Sequence, residues 1–186
     1  VNPKATSILD LRCFPSIAQV EGTPELAVII VPAGTVPATL AACGAKGVKG
    51  AIVISGGFSE SGPEGESLQR QALEVAREHK IRMVGPNCQG VNNPYHGLCA
   101  SWPLLTMKGA IAVVSQSGTV AAALMDWAAQ EGIGVSALVS MGNRADVDEA
   151  DLIEYFDGDA QTRAIALYIE GVKDGPRFLA AARRAT

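Results

Sequence analysis

One local pattern recurs along this chain and limits what it can fold into: a short β-branched run, a break of glycine, serine or proline, then an amphipathic stretch. That is the sequence form of β-turn-α. "LAVIIVPAG" (Leu26 to Gly34) leads into a helix expected near Pro37 to Lys46. "GAIVISGGFSESG" (Gly50 to Gly62) leads into one over Glu64 to Lys80, whose Leu68, Ala72, Leu73 and Ala76 share a face. "RMVGPNCQGVNNP" (Arg82 to Pro94) reads as a strand ending in a loop, and Tyr95 to Gly109 as irregular. The pattern restarts at "GAIAVVSQSG" (Gly109 to Gly118), whose apolar run breaks at Ser-Gln-Ser-Gly and becomes a helix. "GVSALVSMGN" (Gly134 to Asn143) precedes a helix near Glu149 to Phe156, and "AIALYIEG" (Ala164 to Gly171) another near Pro176 to Arg184.

Two parallel α/β modules in tandem follow, residues 1–100 and 101–186, with the changeover near 97 to 108. Each looks incomplete: the chain opens at Val1-Asn2-Pro3-Lys4 without a preceding strand and stops on a helix at Thr186. Small parallel sheets with open edges are poorly protected, so a piece of a longer polypeptide is expected.

Composition excludes several classes. With 48% hydrophobic but only 5% aromatic residues, the chain can bury a core yet lacks the aromatic content of an all-β sandwich. A net charge of −4 without a basic stripe argues against nucleic acid; Arg183-Arg184 is too short to count. Apolar stretches are interrupted before membrane-span length and the start lacks signal-peptide order, so a cytoplasmic protein is expected. Cys13, Cys43, Cys88 and Cys99 have neither CxxC nor Cys/His ligand spacing, which favours free thiols over a metal or disulfide framework.

In open α/β sheets ligands gather where strands end and helices begin. In the first module those breaks are "VPAG" (Val31 to Gly34), "ISGGF" (Ile54 to Phe58) and "GPNCQG" (Gly85 to Gly90). In the second they are "SQSGT" (Ser115 to Thr119), "SMGN" (Ser140 to Asn143) and "YIEG" (Tyr168 to Gly171). Chemistry alone leaves each open. Ser117 fits an N-cap and Gly118 a close-packing turn as well as an anion site. Gly56-Gly57 and Pro86-Asn87 build turns with or without a ligand, and Cys88 fits a small buried hydrophobe. Glu170, a carboxylate at the end of an apolar strand, must be solvated, paired or functional.

Taken together the segments resemble a family. "NPK", "VPA", "GAIVISGGFSESGPEG", "RMVGPNCQGVNN", "IAVVSQSGTVAAALMDWAAQEGIG" and "VSMGNRADVDEADLIEYFDGDAQTRAIALYIEGVKD" are similar, in order, to segments of the NDP-forming acyl-CoA synthetases, relatives of the succinyl-CoA synthetase α subunit. The resemblance implies a partial Rossmann-like CoA-binding domain followed by a flavodoxin-like CoA-ligase domain. It implies an enzyme interconverting carboxylic acid, CoA and nucleoside triphosphate with acyl-CoA, diphosphate and phosphate, through acyl phosphate and phosphohistidine. On that match Lys4 meets a CoA phosphate, Val31 and Pro32 border the adenine or ribose, and Ile54, Ser55 and Gly56 line the cofactor path. Asn87 and Cys88 lie at the pantetheine end. Ser115, Ser117, Gly118 and Thr119 cradle the phosphoryl group, and Glu170 orients the imidazole.

The departures carry expectations too. No counterpart of the phosphorylated histidine occurs here: His79, at a helix end, and His96, in a turn, read as surface residues. The family's first Gly-rich CoA loop and its ATP-binding domain are also missing, so ATP and Mg²⁺ are expected on an ATP-grasp domain or subunit, within a homo- or hetero-oligomer, and this piece alone is expected to be inactive. Ala122 stands where succinate-using relatives carry a tyrosine, which points to a bulkier or more apolar acid. Two other classes stay open: a CoA-binding regulatory module of an acetyltransferase without ligase activity, and a nicotinamide-dependent Rossmann protein. The latter is disfavoured because no G-x-G-x-x-G opens a helix after a strand.

Overall fold

The structure, a computed structural model, describes residues 1–101 and 106–186. β1 (Ser7–Ile8) and β2 (Leu11–Arg12) form a small antiparallel hairpin. β3 (Leu26–Ile29), β4 (Gly50–Val53) and β5 (Arg82–Val84) lie parallel in that order. α1 (Val36–Ala45) and α2 (Pro63–Glu78) make the crossovers. Pro63 opens α2, Glu64 and Glu66 sit in its first turn and Arg77 in its last, each suited to the helix dipole. The expected face forms: Ala72 and Ala76 are buried with Leu40, Val53, Phe58 and Met83, and Leu68 and Leu73 pack against them.

A five-stranded sheet follows, ordered β10-β8-β9-β6-β7. It comprises β6 (Gly90–Asn93), β7 (Leu98–Ser101), β8 (Lys108–Ser115), β9 (Val135–Ser140) and β10 (Ala164–Tyr168). β8 pairs in parallel with β9 and β10. α3 (Gly118–Gln130), α4 (Glu149–Asp157) and α5 (Gly175–Arg184) complete the module. Alternation along β8 and β9 buries both faces, as expected of strands between helix layers. Val113 and Leu138 meet Ala121, Met125 and Ala128 of α3, while Val114 and Val139 meet Leu152 and Phe156 of α4. A capping box, Asp148 with Asp151, starts α4.

β6 and β7 correct the sequence reading. The stretch after Gly85-Pro86-Asn87 does not remain a loop, and Tyr95 to Gly109 is not wholly irregular, since β7 lies within it. β6 pairs antiparallel with both β7 and β9, so the second sheet is mixed and begins, in chain order, at Gly90. Gly-Val-Asn-Asn has weak strand propensity, and a partner distant in sequence supplies what its composition lacks. Part of the expected changeover, residues 102–105, lies outside the described residues.

The two sheets are tied by the segment after β9. Val147 N–H donates to Met83 O (3.2 Å), Ala145 N–H to Gly85 O (3.0 Å) and Asn143 N–H to Pro86 O (2.9 Å). The segment thus runs along β5 and satisfies its backbone. Asp146 Oδ2 accepts from Met83 N–H (2.8 Å) and Arg82 Nε (3.0 Å).

Candidate functional site

The second-module site is built on register. Ser115 pairs with Tyr168 on one side and Ser140 on the other, so three strands end together and their loops converge. Ser115 is wholly buried; its hydroxyl donates to Ser117 O (2.6 Å) and accepts from Ser117 N–H (3.2 Å). The single proton of this hydroxyl is thus spent on holding the corner. Ser117 is the N-cap of α3, its Oγ accepting from Val120 N–H (3.3 Å). Gly118 and exposed Thr119 open the helix, and their N–H groups have no partner among the described residues. Free donors of this kind, with the helix dipole behind them, have the chemistry to accept an anion. Glu170 is exposed on the loop after β10, two residues past the partner of Ser115.

In the first module Val31 and Ser55 bind each other: Val31 N–H donates to Ser55 Oγ (3.1 Å) and that hydroxyl donates to Val31 O (2.6 Å). The bond clips the ends of β3 and β4. Pro32 is exposed beside it, Ile54 is half-buried, and Gly56 is exposed. A Cβ on Gly56 would lie 3.1 Å from Asn87 Oδ1 and 3.3 Å from Glu60 Oε1, so these groups share one patch. Glu60 accepts from the N–H groups of Gly57 (2.5 Å) and Phe58 (3.1 Å). Burial pushes its carboxyl up, but bonds from Asn143, Phe58 and Gly57 outweigh this and hold it below the ordinary glutamate value.

Asn87, in the left-handed region at φ 57°, donates to Asn143 Oδ1 (3.3 Å), and Asn143 donates to Glu60 and to Gln69 Oε1 (2.9 Å). The two mouths therefore meet through side chains as well as backbone. Cys88 fits the reading of a small buried residue: it is 5% exposed, its thiol donates to Val53 O (3.3 Å), and burial pushes its pKa up to about 11. Lys4 is exposed in an N-terminal turn where its N–H donates to Asn2 Oδ1 (2.9 Å), and among the described residues its amine bonds to none of the other candidates. A groove of about 1230 Å³ along β3 touches Val31 but none of the α3 candidates.

Glu60, Asn143, Gln116, Arg144 and Glu149 were not singled out from the sequence. Asn143 ends the "SMGN" break, and both Asn143 and Arg144 lie in the quoted segment that begins "VSMGNRAD". Glu149 looks like an ordinary acidic residue at a helix start, yet it is 2% exposed and ion-paired with Arg144.

A CoA binding domain model covers residues 1–94, and a succinyl-CoA ligase like flavodoxin domain model covers residues 108–186. The chain is 43% identical over 98% of its length to the ADP-forming acetate–CoA ligase I of Archaeoglobus fulgidus. This chain belongs to the NDP-forming acyl-CoA synthetases. It is 40% identical over its whole length to the α subunit of the ADP-forming acetate–CoA ligase II of Pyrococcus furiosus. It covers 27% and 41% of those two proteins, so it spans well under half of these relatives. It also superposes, with a TM-score of 0.94 and 37% identity over 100% of its length and 40% of the other chain, on a dinucleotide forming acetyl-coenzyme A synthetase from Ca. Korarchaeum cryptofilum, described in complex with phosphate and ADP.

Neither histidine of this chain lies at the start of α3. His96 is exposed, its N–H donating to Asn93 Oδ1 (3.2 Å) in a turn. His79 is half-buried against α1, where an added Cβ on Gly44 would overlap its ring, which corrects the surface reading. Among the described residues no cluster of three or more His, Cys, Asp or Glu could hold a metal, and no helix is long and apolar enough to cross a membrane.

Proposed function

We propose that this chain is the CoA-binding and acyl-transferring part of a synthetase that converts carboxylic acid, CoA and nucleoside triphosphate to acyl-CoA, diphosphate and phosphate. The supporting observation is the start of α3, with two free N–H groups, next to the Glu170 loop, whose N–H groups are held by the Gln116 side chain. In the acyl-CoA-consuming direction, phosphate oxygen attacks the thioester carbonyl and CoA leaves as the thiol, giving acyl phosphate. A histidine outside these residues then takes the phosphoryl group and carboxylate departs; the phosphohistidine passes it to a nucleoside diphosphate.

In this reading Val31, Pro32, Ile54, Ser55, Gly56 and Asn87 border CoA, and Lys4 meets its phosphates. Gly118 and Thr119 donate to the phosphoryl oxygens while Ser117 keeps the helix start in place. Glu170 accepts from one imidazole nitrogen, leaving the lone pair of the other to attack phosphorus. The nucleotide and Mg²⁺ belong to an ATP-grasp domain or subunit, in a cytoplasmic oligomer. Half-buried Ala122, one helical turn from Ser117–Gly118, leaves room for an acid bulkier or more apolar than succinate.

The test is to expose the complete native protein to labelled ATP and Mg²⁺ and seek acid-labile phosphate on histidine, discharged by acid plus CoA. Its appearance and discharge support the reading. CoA binding without a phosphohistidine would instead make this a regulatory module.

A further inference from the structure

Gln116 lies between Ser115 and Ser117 and is 6% exposed. Its backbone N–H donates to Tyr168 O (3.1 Å), extending the β8–β10 pairing by one rung. Where the backbone then turns into α3, its side chain carries the pairing further. Oε1 accepts from the N–H groups of Glu170 (2.8 Å) and Gly171 (3.2 Å), and Nε2 donates to Gly171 O (2.8 Å). The amide thus meets both N–H groups and one carbonyl of the loop that carries Glu170.

Two further groups hold the amide. Nε2 also donates to Glu149, which accepts from Arg144, and Arg144 Nη1 donates to Gly171 O (2.7 Å). Lys173 fastens the far side of the loop, donating to the carbonyls of Arg144 (2.7 Å) and Asn143 (3.2 Å). A buried ion pair is a costly way to fill space, because well-packed apolar residues usually stabilise as much or more. Here the bonds of the pair end on the backbone of an exposed loop and on the amide that holds it, which is how a positioning device would be wired.

We infer that Gln116, braced by Glu149 and Arg144, positions Glu170 against the start of α3, so that carboxylate and helix end act on one phosphorylated imidazole. One residue sets both parts, since Gln116 is also the step between β8 and the N-cap. The inference rests on the proposed role of Glu170, and its test separates the two.

In the complete synthetase, single-turnover formation of phosphohistidine would be followed for the parent, Gln116→Leu, Glu170→Gln and the double variant, with CoA affinity measured alongside. Gln116→Leu should slow phosphoryl transfer on the order of 10–100-fold, the cost of a small misplacement of a reacting group, with CoA affinity unchanged. Glu170→Gln should slow it too, and the double variant should be no slower than the slower single, since both changes remove one function. If the leucine variant does not fold, Gln116→Asn keeps the amide one methylene short and should show the same non-additive pattern with a smaller loss. Additive losses, or a parental rate for the Gln116 variant beside a slow Glu170→Gln, would overturn this inference and leave the role of Glu170 standing. A parental rate for Glu170→Gln would overturn both.

Discussion

Replacing Gly142 by alanine should cost the chain about 2–5 kcal/mol, as the sum of two separable effects. Gly142 sits at φ 56°, where an L side chain costs about 1–2 kcal/mol. An added Cβ would also overlap the carbonyl oxygens of Pro86 and Asn87. These are backbone atoms, and Asn143 and Ala145 bond to the same strand-end loop at 2.9 and 3.0 Å, so no side-chain rotation relieves the clash. Overpacking of this kind costs about 1–3 kcal/mol. Gly132 supplies the control: its φ is 69° and nothing lies within 4 Å of an added Cβ, so Gly132→Ala should show the conformational part alone. Urea unfolding of both variants and the parent gives the difference from midpoint and slope. Equal losses for the two alanines would refute the claim that Gly142 exists to let the second module approach the first.

Acid should weaken the contact between α4 and α5 in a defined way. Burial would raise the Asp151 carboxyl, but bonds from Arg177 (2.7 Å) and the Asp148 N–H, with Arg82 nearby, outweigh it and hold the group below 3.8. A folded-state value under the unfolded one stabilises above 3.8 and is lost as pH falls through the folded value. Arg177→Gln should therefore flatten the loss of stability as pH falls below 3.8, and an unchanged acid profile would refute the assignment. Cys88 should resist alkylation near pH 8 until the chain unfolds, since its thiol is buried and titrates at about 11; labelling at the native-state rate of a model thiol would show that it lines the mouth after all.

The elements most legible in the sequence were those whose cause is local. The α2 face, the Pro63 start and the Asp148 box depend on residues within a turn of one another, and each forms as periodicity and capping rules require. β6 and β7 were not legible, because Gly-Val-Asn-Asn becomes a strand only by pairing with β9, whose Leu138 to Ser140 lie far along the chain. The site divided the same way. The positions of Gly118 and Thr119 at a helix start and of Glu170 just past a strand end were legible because strand ends and helix starts can be placed from sequence.

What the sequence determined by itself, then, was the succession of β-turn-α units and, through its ordered motifs, the family and the places where strands end and helices begin. Only the tertiary structure decided how individual groups are spent. It turned the Cys88 thiol inward, consumed the Ser115 hydroxyl in a corner, and made the unremarked Gln116 and Glu149 the supports of the Glu170 loop. The reason is physical: propensity and periodicity act over a few neighbouring residues, whereas a buried hydrogen-bonding group takes whatever partner the packed chain brings within about 3 Å.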